Sequence, residues 1–234
     1  MADADEAAVQ VRQLFDSKAA AWPAKYAARA PLAGRLERLG AAVDRYVTPG
    51  GKVLDLGCGT GELARRMAAC DLRVTGCDIS SQMLGRAMAG DPGGKVTWVQ
   101  LQPNWHTLPF EAGAFDAVVA SSVIEYVDYP LGVLQECARV LSPGGVVLCS
   151  APNLAHPVRW LEWMAAHLTR PWLAGLVRGH SRRLDSYLVY LGLSRQRHRA
   201  RWWSRTGAQA GLTLLPAAAM ARRSPLRLLV LEYR

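Results

Sequence analysis

The chain has 234 residues, of which 50% are hydrophobic and 20% charged, an ordinary globular composition with enough length to bury a sizeable core in one large domain or two small ones. Charge, Gly or Pro breaks every apolar stretch well before the roughly 18 residues that a membrane-spanning helix needs, and residues 1–8 are acidic rather than a basic signal-peptide start, so the sequence reads as neither membrane-spanning nor secreted. The net charge of +9 is one-sided, because residues 1–153 carry 14 basic and 16 acidic side chains whereas residues 154–234 carry 14 and 3.

Residues 9–46 place Val11, Leu14 and Phe15, then Leu32, Leu36, Leu39 and Val43, at helical spacing, with Pro23 and Pro31 dividing the stretch. After the turn signal Thr48-Pro49-Gly50-Gly51, the run Val53–Leu56 reads as a strand that ends in glycines and leads into a helix over 62–69. Residues 74–78 read as a second strand, followed by a Ser80/Ser81 cap and a helix through Met83, Leu84 and Ala87. Further strands are expected at 96–101, 115–121 and 145–151, with a helix over 131–141 between the last two. Strands alternating with helices predict an open, parallel, doubly wound α/β sheet covered on both faces. Residues 154–205 break that rhythm, and 211–216 and 226–233 then read as an antiparallel strand pair.

Cys58, Cys70, Cys77, Cys137 and Cys149 are odd in number and contain no C-x-x-C pair, so neither a disulfide framework nor a zinc site is expected, no metal is assigned, and a reducing cytoplasm fits. The more informative residues are glycines. Gly57, Gly59 and Gly61 alternate between the first strand and the helix after it, where the chain can turn sharply and the free N–H groups of a helix start favour an anionic group. The third glycine falls one residue early for a dinucleotide fingerprint, and Glu62 stands where that fingerprint has glycine. Asp78 closes the second strand, 23 positions after Asp55. A carboxylate there can accept hydrogen bonds from both hydroxyls of a ribose, or simply cap the helix that follows.

Together, the segments Val53–Gly61, Val74–Ser80, Leu108–Phe110 with Phe115–Val119, Val123–Val127 and Arg139–Gly145 resemble the class I S-adenosylmethionine-dependent methyltransferases, specifically a branch of quinone-biosynthesis and small-molecule enzymes. They cover residues 50–153; Phe15, Asp16, Ala19, Trp22 and Tyr26 look like the helical cover of the same branch. The resemblance implies a Rossmann-like, seven-stranded, mostly parallel sheet with an antiparallel last strand, and S-adenosylmethionine as cofactor. It implies that Asp55, Gly57, Gly59 and Gly61 hold the methionine end, that Asp78 holds the ribose, and that Ile79 packs on the adenine. By the same resemblance Asn104 and then Trp105 meet the adenine edge, Ser121 faces the methionine moiety, and Tyr26 closes over it. The family more often has Asp at Asn104 and His at Tyr126.

Methyl transfer is an in-line displacement, so positioning and exclusion of water come first, and a base is needed only where a proton must leave. Glu125 and Tyr126 follow the fourth strand on the side where ligands bind, and His156 follows the fifth. These are the three catalytic candidates. Glu125 can orient a substrate group or bind a metal, but it can equally cap a helix or pair with an arginine.

Residues 154–205 hold Trp160, Trp163, Trp172, Trp202 and Trp203 among arginines. The stretch suits an acceptor lid, a helix resting on anionic lipid through 154–180, or a nucleic-acid contact in which Arg195, Arg197, Arg199, Arg201 and Arg205 follow phosphates while Trp202 and Trp203 stack on bases. Ala120-Ser121-Ser122-Val123 lacks the Asn/Asp-Pro-Pro-aromatic signature of base-amino methylation. The expected organisation is one domain: a helical cover (1–48), a cofactor core (49–153), a helical insertion (154–205) and the final strands (206–234). The expected function is methyl transfer from S-adenosylmethionine to an O, N or C nucleophile of a small apolar or aromatic molecule. RNA methylation and a non-catalytic, cofactor-binding partner subunit are the alternatives.

Overall fold

The computed structural model describes residues 2–27, 32–154, 156–160, 162, 189–215 and 225–234. Most of the 154–180 stretch, with Trp163 and Trp172, therefore lies outside the described residues, and the lid and lipid-contact expectations lie there with it.

Among the described residues the strands form one seven-stranded sheet: β1 (Lys52–Leu56), β2 (Arg73–Asp78), β3 (Val96–Gln100), β4 (Phe115–Ala120), β5 (Leu141–Pro152), β6 (Leu212–Leu214) and β7 (Leu226–Tyr233). Their order is β3-β2-β1-β4-β5-β7-β6. Strands β1 to β5 pair in parallel, and β7 runs antiparallel to both of its neighbours. The order reverses between β1 and β4, so a crevice opens beyond their carboxyl ends, where the loops after the two strands diverge.

Helices α1 (Ala2–Lys18), α2 (Ala33–Tyr46), α3 (Glu62–Ala68), α4 (Ser81–Ala89), α5 (Pro130–Val140) and α6 (Ala200–Gln209) pack around this sheet. Successive strand residues serve opposite faces. Leu54, Leu56, Val118 and Val147 pack with Leu134 and Trp203 on one face, and Val53, Val119, Leu148 and Val230 pack with Leu39, Val43 and Met67 on the other. Both faces are apolar, which is why the strands read as unbroken hydrophobic runs.

The N-terminal cover takes its shape from the expected break. After α1 come two short 3-10 turns, Ala19–Ala21 and Pro23–Tyr26, the second starting on a proline that needs no N–H partner. Strand β5 starts earlier than its turn signal suggests, because Leu141 already pairs with Phe115 before Ser142–Gly145 bulge out and the register shifts. Helix α6 runs across the expected boundary at 205.

Candidate active site

The carboxyl end of β2 is tied to the glycine loop by Asp78. One oxygen of this carboxylate accepts from the Gly59 N–H (2.9 Å) and the other from the Ser80 N–H (2.8 Å). The helix cap itself is Ser80, whose hydroxyl accepts from the Met83 N–H and donates to Asp16 of α1 at 2.6 Å. Asp78 is therefore left to shape the loop, and Asp16 anchors the cover over it. Burial raises the Asp78 pKa, opposed by its backbone hydrogen bonds.

Asp55, at the end of β1, is 1% exposed, and one of its carboxylate oxygens has no hydrogen-bond partner. Burial, then the Asp78 and Glu62 charges, push its pKa up to about 7. An unpaired buried carboxylate is costly, and a cation placed against it would recover that cost. Gly57 (φ +68) has no room for a side chain, since a Cβ would lie 2.2 Å from the Val123 side chain.

These groups line one cavity of 780 Å³. Its β1–β2 end holds Asp55, Gly57, Gly59, Asp78, Ile79 and Tyr26, with Asn104 and Trp105 along the side and Ser121 beside the β4 end. Glu125 and Tyr126 line it as well, Tyr126 in the apolar cluster that also takes Ile79 and Phe15. The structure brings these residues together around one cavity and leaves two of the named residues out of its lining. Gly61 does not line the cavity: it is the left-handed N-cap of α3 (φ +79), and a Cβ there would lie 2.5 Å from the Trp98 ring, so it is glycine for packing. His156 does not line it either; its N–H bonds back to the Asn153 carbonyl and it opens a helical turn over 157–160. Arg159, one turn on, reaches the cavity in its place.

The residues that sequence reasoning missed gather around Glu125, Ser122 and Tyr190. The Arg159 guanidinium donates to the Tyr190 hydroxyl (2.6 Å) and to Glu162 (2.7 Å). Ser194 donates to the Glu125 carboxylate at 3.1 Å, while the Arg195 and Gln196 N–H groups donate to the Glu125 carbonyl. Glu125, 2% exposed, has its pKa raised by burial, with the nearby Arg159 charge and the Ser194 bond opposing. Arg35, from α2, donates to the Ser122 hydroxyl at 2.8 Å. Ser122 holds a left-handed backbone (φ +57), fixed by its N–H donating to Ser150, a strained arrangement of the kind that collects at binding sites.

Four rings run edge to face along the wall: Trp22–Phe15 (5.6 Å), Phe15–Tyr126 (5.2 Å) and Tyr126–Tyr190 (6.2 Å between centroids). Tyr126 and Tyr26 stay neutral phenols, since burial pushes the first well up and the second to about 12. Cys58 is buried with its thiol pushed well up by burial, as a packing residue would be.

The nucleic-acid expectation fails on its stacking residues. Trp203 is 1% exposed inside the core, and Trp202 is taken up by His198, stacked at 3.7 Å. Arg197 is itself buried and bonds the Leu191 carbonyl, and Arg195 pairs with Asp128.

Comparison with known proteins points the same way. Residues 54–149 match the family profile described as Methyltransferase domain. The ubiquinone biosynthesis O-methyltransferase of Vibrio parahaemolyticus is 40% identical over 106 residues, which span 44% of this chain and 45% of that protein. That of Dechloromonas aromatica is 37% identical over 116 residues, or 47% and 49%. The match to these curated relatives spans less than half of their length.

Among solved structures, the magnesium protoporphyrin IX methyltransferase of Synechocystis PCC 6803, with bound SAH, superposes with a TM-score of 0.68 at 19% identity, covering 96% of this chain and 98% of that one. The Haloferax volcanii complex of the Trm112 methyltransferase activator with a methyltransferase gives 0.68 at 18%, covering 93% and 96%. At such identities these two establish the fold. Residues 54–149 of the chain thus match a methyltransferase domain, set in a fold shared with S-adenosylmethionine-dependent methyltransferases.

Proposed function

We propose that the protein transfers a methyl group from S-adenosylmethionine to a hydroxyl oxygen of a small aromatic molecule. The observation that carries this reading is the single cavity that joins the Asp55–Gly57–Asp78 cradle to the aromatic and polar side chains of Glu125, Tyr126 and Tyr190. The O-methyltransferase relatives, similar over the core, support oxygen as the acceptor atom.

The cradle fits the cofactor. The orphaned Asp55 oxygen suits an ammonium, the Asp78 carboxylate suits a ribose, and Arg35, whose charge reaches Tyr26 together with those of Glu62 and Asp55, suits a carboxylate. When bound, S-adenosylmethionine supplies an electrophilic methyl on a sulfonium. The chain's own residues then act by position: the ring wall orients a planar acceptor, Trp22 and Tyr26 exclude water from above, and Glu125 stands ready to hold the hydroxyl proton. Arg159 and Ser194 keep the Glu125 carboxylate in place.

Thermal unfolding with S-adenosylhomocysteine, with NAD and with neither checks the cofactor, because a ligand bound only to the folded state raises the midpoint. A shift with S-adenosylhomocysteine alone is expected; a shift with NAD alone sinks the reading. Asp78→Ala should weaken S-adenosylhomocysteine binding by about 1.5–3 kcal/mol through the loss of charge-assisted bonds, and unchanged affinity in calorimetry would remove the ribose role.

A further inference from the structure

The side of the cavity formed by the helical cover is cationic. Lys18, Lys25 and Arg35 all line it. Lys25 sits over the Trp22 ring at 3.8 Å, and Arg35 is bonded to the Ser122 hydroxyl. The carboxylates lining the same cavity are engaged elsewhere or stand apart. Asp78 holds the glycine loop, Asp128 pairs with Arg195, Glu136 with Arg139, and Glu125 takes Ser194. Asp55 keeps its free oxygen. Among the described residues no acid forms an ion pair with Lys18, Lys25 or Arg35.

Gathering like charges at a half-buried wall costs free energy that the free protein does not recover. Burial and the charges of Lys18 and Arg35 depress the Lys25 ammonium, and burial depresses that of Lys18. The cofactor brings a single carboxylate, which one of the three cations satisfies, and its sulfonium and ammonium add positive charge. Lys25 lies beside a run of rings, Lys25 on Trp22, Trp22 on Phe15 and Phe15 on Tyr126, and Lys18 lines the same cavity near enough for its charge to act on Lys25.

We propose that the acceptor is an anion, a planar aromatic body bearing a carboxylate or comparable acid group, and that Lys18 and Lys25 are the residues that hold that group. This substrate class rests on the methyl-transfer reading above. Choice of acceptor then lies in the cover rather than in the sheet. A neutral ring of the same shape is discriminated against because it leaves the two ammonium groups unpaired.

The test uses two probes of one shape and different charge, 2-naphthoate and 2-naphthamide, titrated calorimetrically into the protein saturated with S-adenosylhomocysteine. Naphthoate should bind at least about tenfold more tightly, as expected for a charge-assisted pair. The Lys18→Met/Lys25→Met variant should bring the two probes to parity while keeping its S-adenosylhomocysteine midpoint shift, which shows that it is folded. Lys18→Arg/Lys25→Arg should keep the preference. No naphthoate binding, parity in the wild type, or a preference that survives the methionine variant overturns the proposal. Displacement of S-adenosylhomocysteine by naphthoate also overturns it, since it would assign the cations to the cofactor's own carboxylate. Should S-adenosylhomocysteine itself fail to bind, the cofactor reading falls separately, and the same lysine dependence of naphthoate binding is then sought in the free protein.

Discussion

At the scale of single residues the site is governed by two buried carboxylates with different work. Asp55, its pKa pushed up to about 7 by burial and by Asp78 and Glu62, is raised above its unfolded value. It therefore stabilises the free protein most below the usual carboxylate range, and that contribution is lost as pH rises to about 7. An ammonium ligand reverses the preference by favouring ionised Asp55. Binding of S-adenosylhomocysteine should thus release a proton at pH 6, and affinity should climb from pH 6 to about 7 and level off above. Calorimetry in two buffers of different ionisation heat measures the proton, and Asp55→Asn should abolish it; an identical heat in both buffers would detach Asp55 from the ligand.

Glu125, lining the same cavity, also has its pKa raised by burial. Glu125→Gln keeps the shape and hydrogen-bonding capacity but removes the base, so kcat should fall about 10²–10⁴-fold with S-adenosylhomocysteine affinity retained. A loss of folding or cofactor binding instead would make Glu125 a strut for residues 194–196.

Among the elements, α6 shows how tryptophans that look like a binding stripe can be core. Trp203 fills the space between α5 and the sheet and leaves its indole N–H without a hydrogen-bond partner. Trp203→Ala should cost about 3–5 kcal/mol in chemical denaturation. Trp203→Phe should cost clearly less, because it also removes the buried orphan donor; equal losses would place Trp203 outside the load of the core.

Contiguous motifs were legible in the sequence because their geometry is local. The alternating glycines and the Ser80 cap are written in residues within a few positions of one another. Arg35 and Ser122 are 87 positions apart, and Arg159 and Tyr190 are 31 apart. Nothing in local spacing announces such pairs, since the topology of the sheet alone brings them together. His156 was a fair candidate by position, but one helical turn separates it from the residue that reaches the cavity.

For the whole molecule, the alternation of strands and helices was enough to predict a doubly wound sheet, and the ligand crevice followed from its topology. Among the described residues the charge asymmetry is only partly a surface feature, for Arg195, Arg199, Arg201 and Arg205 are exposed whereas Arg197 is buried. Part of the basic charge is spent internally: Arg159 braces Tyr190, and Arg197 is buried. A count of charges does not record which of them face inward.

The strand order carries one more consequence, for the way the chain is made. Among the described residues β6 has only β7 as a neighbour, and β7 stands between β5 and β6 although it comes later in the chain. During synthesis β6 therefore leaves the ribosome before the strand that will hold it. Until β7 follows, the edge of β5 is unpaired and its apolar faces are only partly covered. This side of the sheet is completed only once β7 has emerged, and until then the nascent protein passes through a stage in which holding chaperones have something to grip.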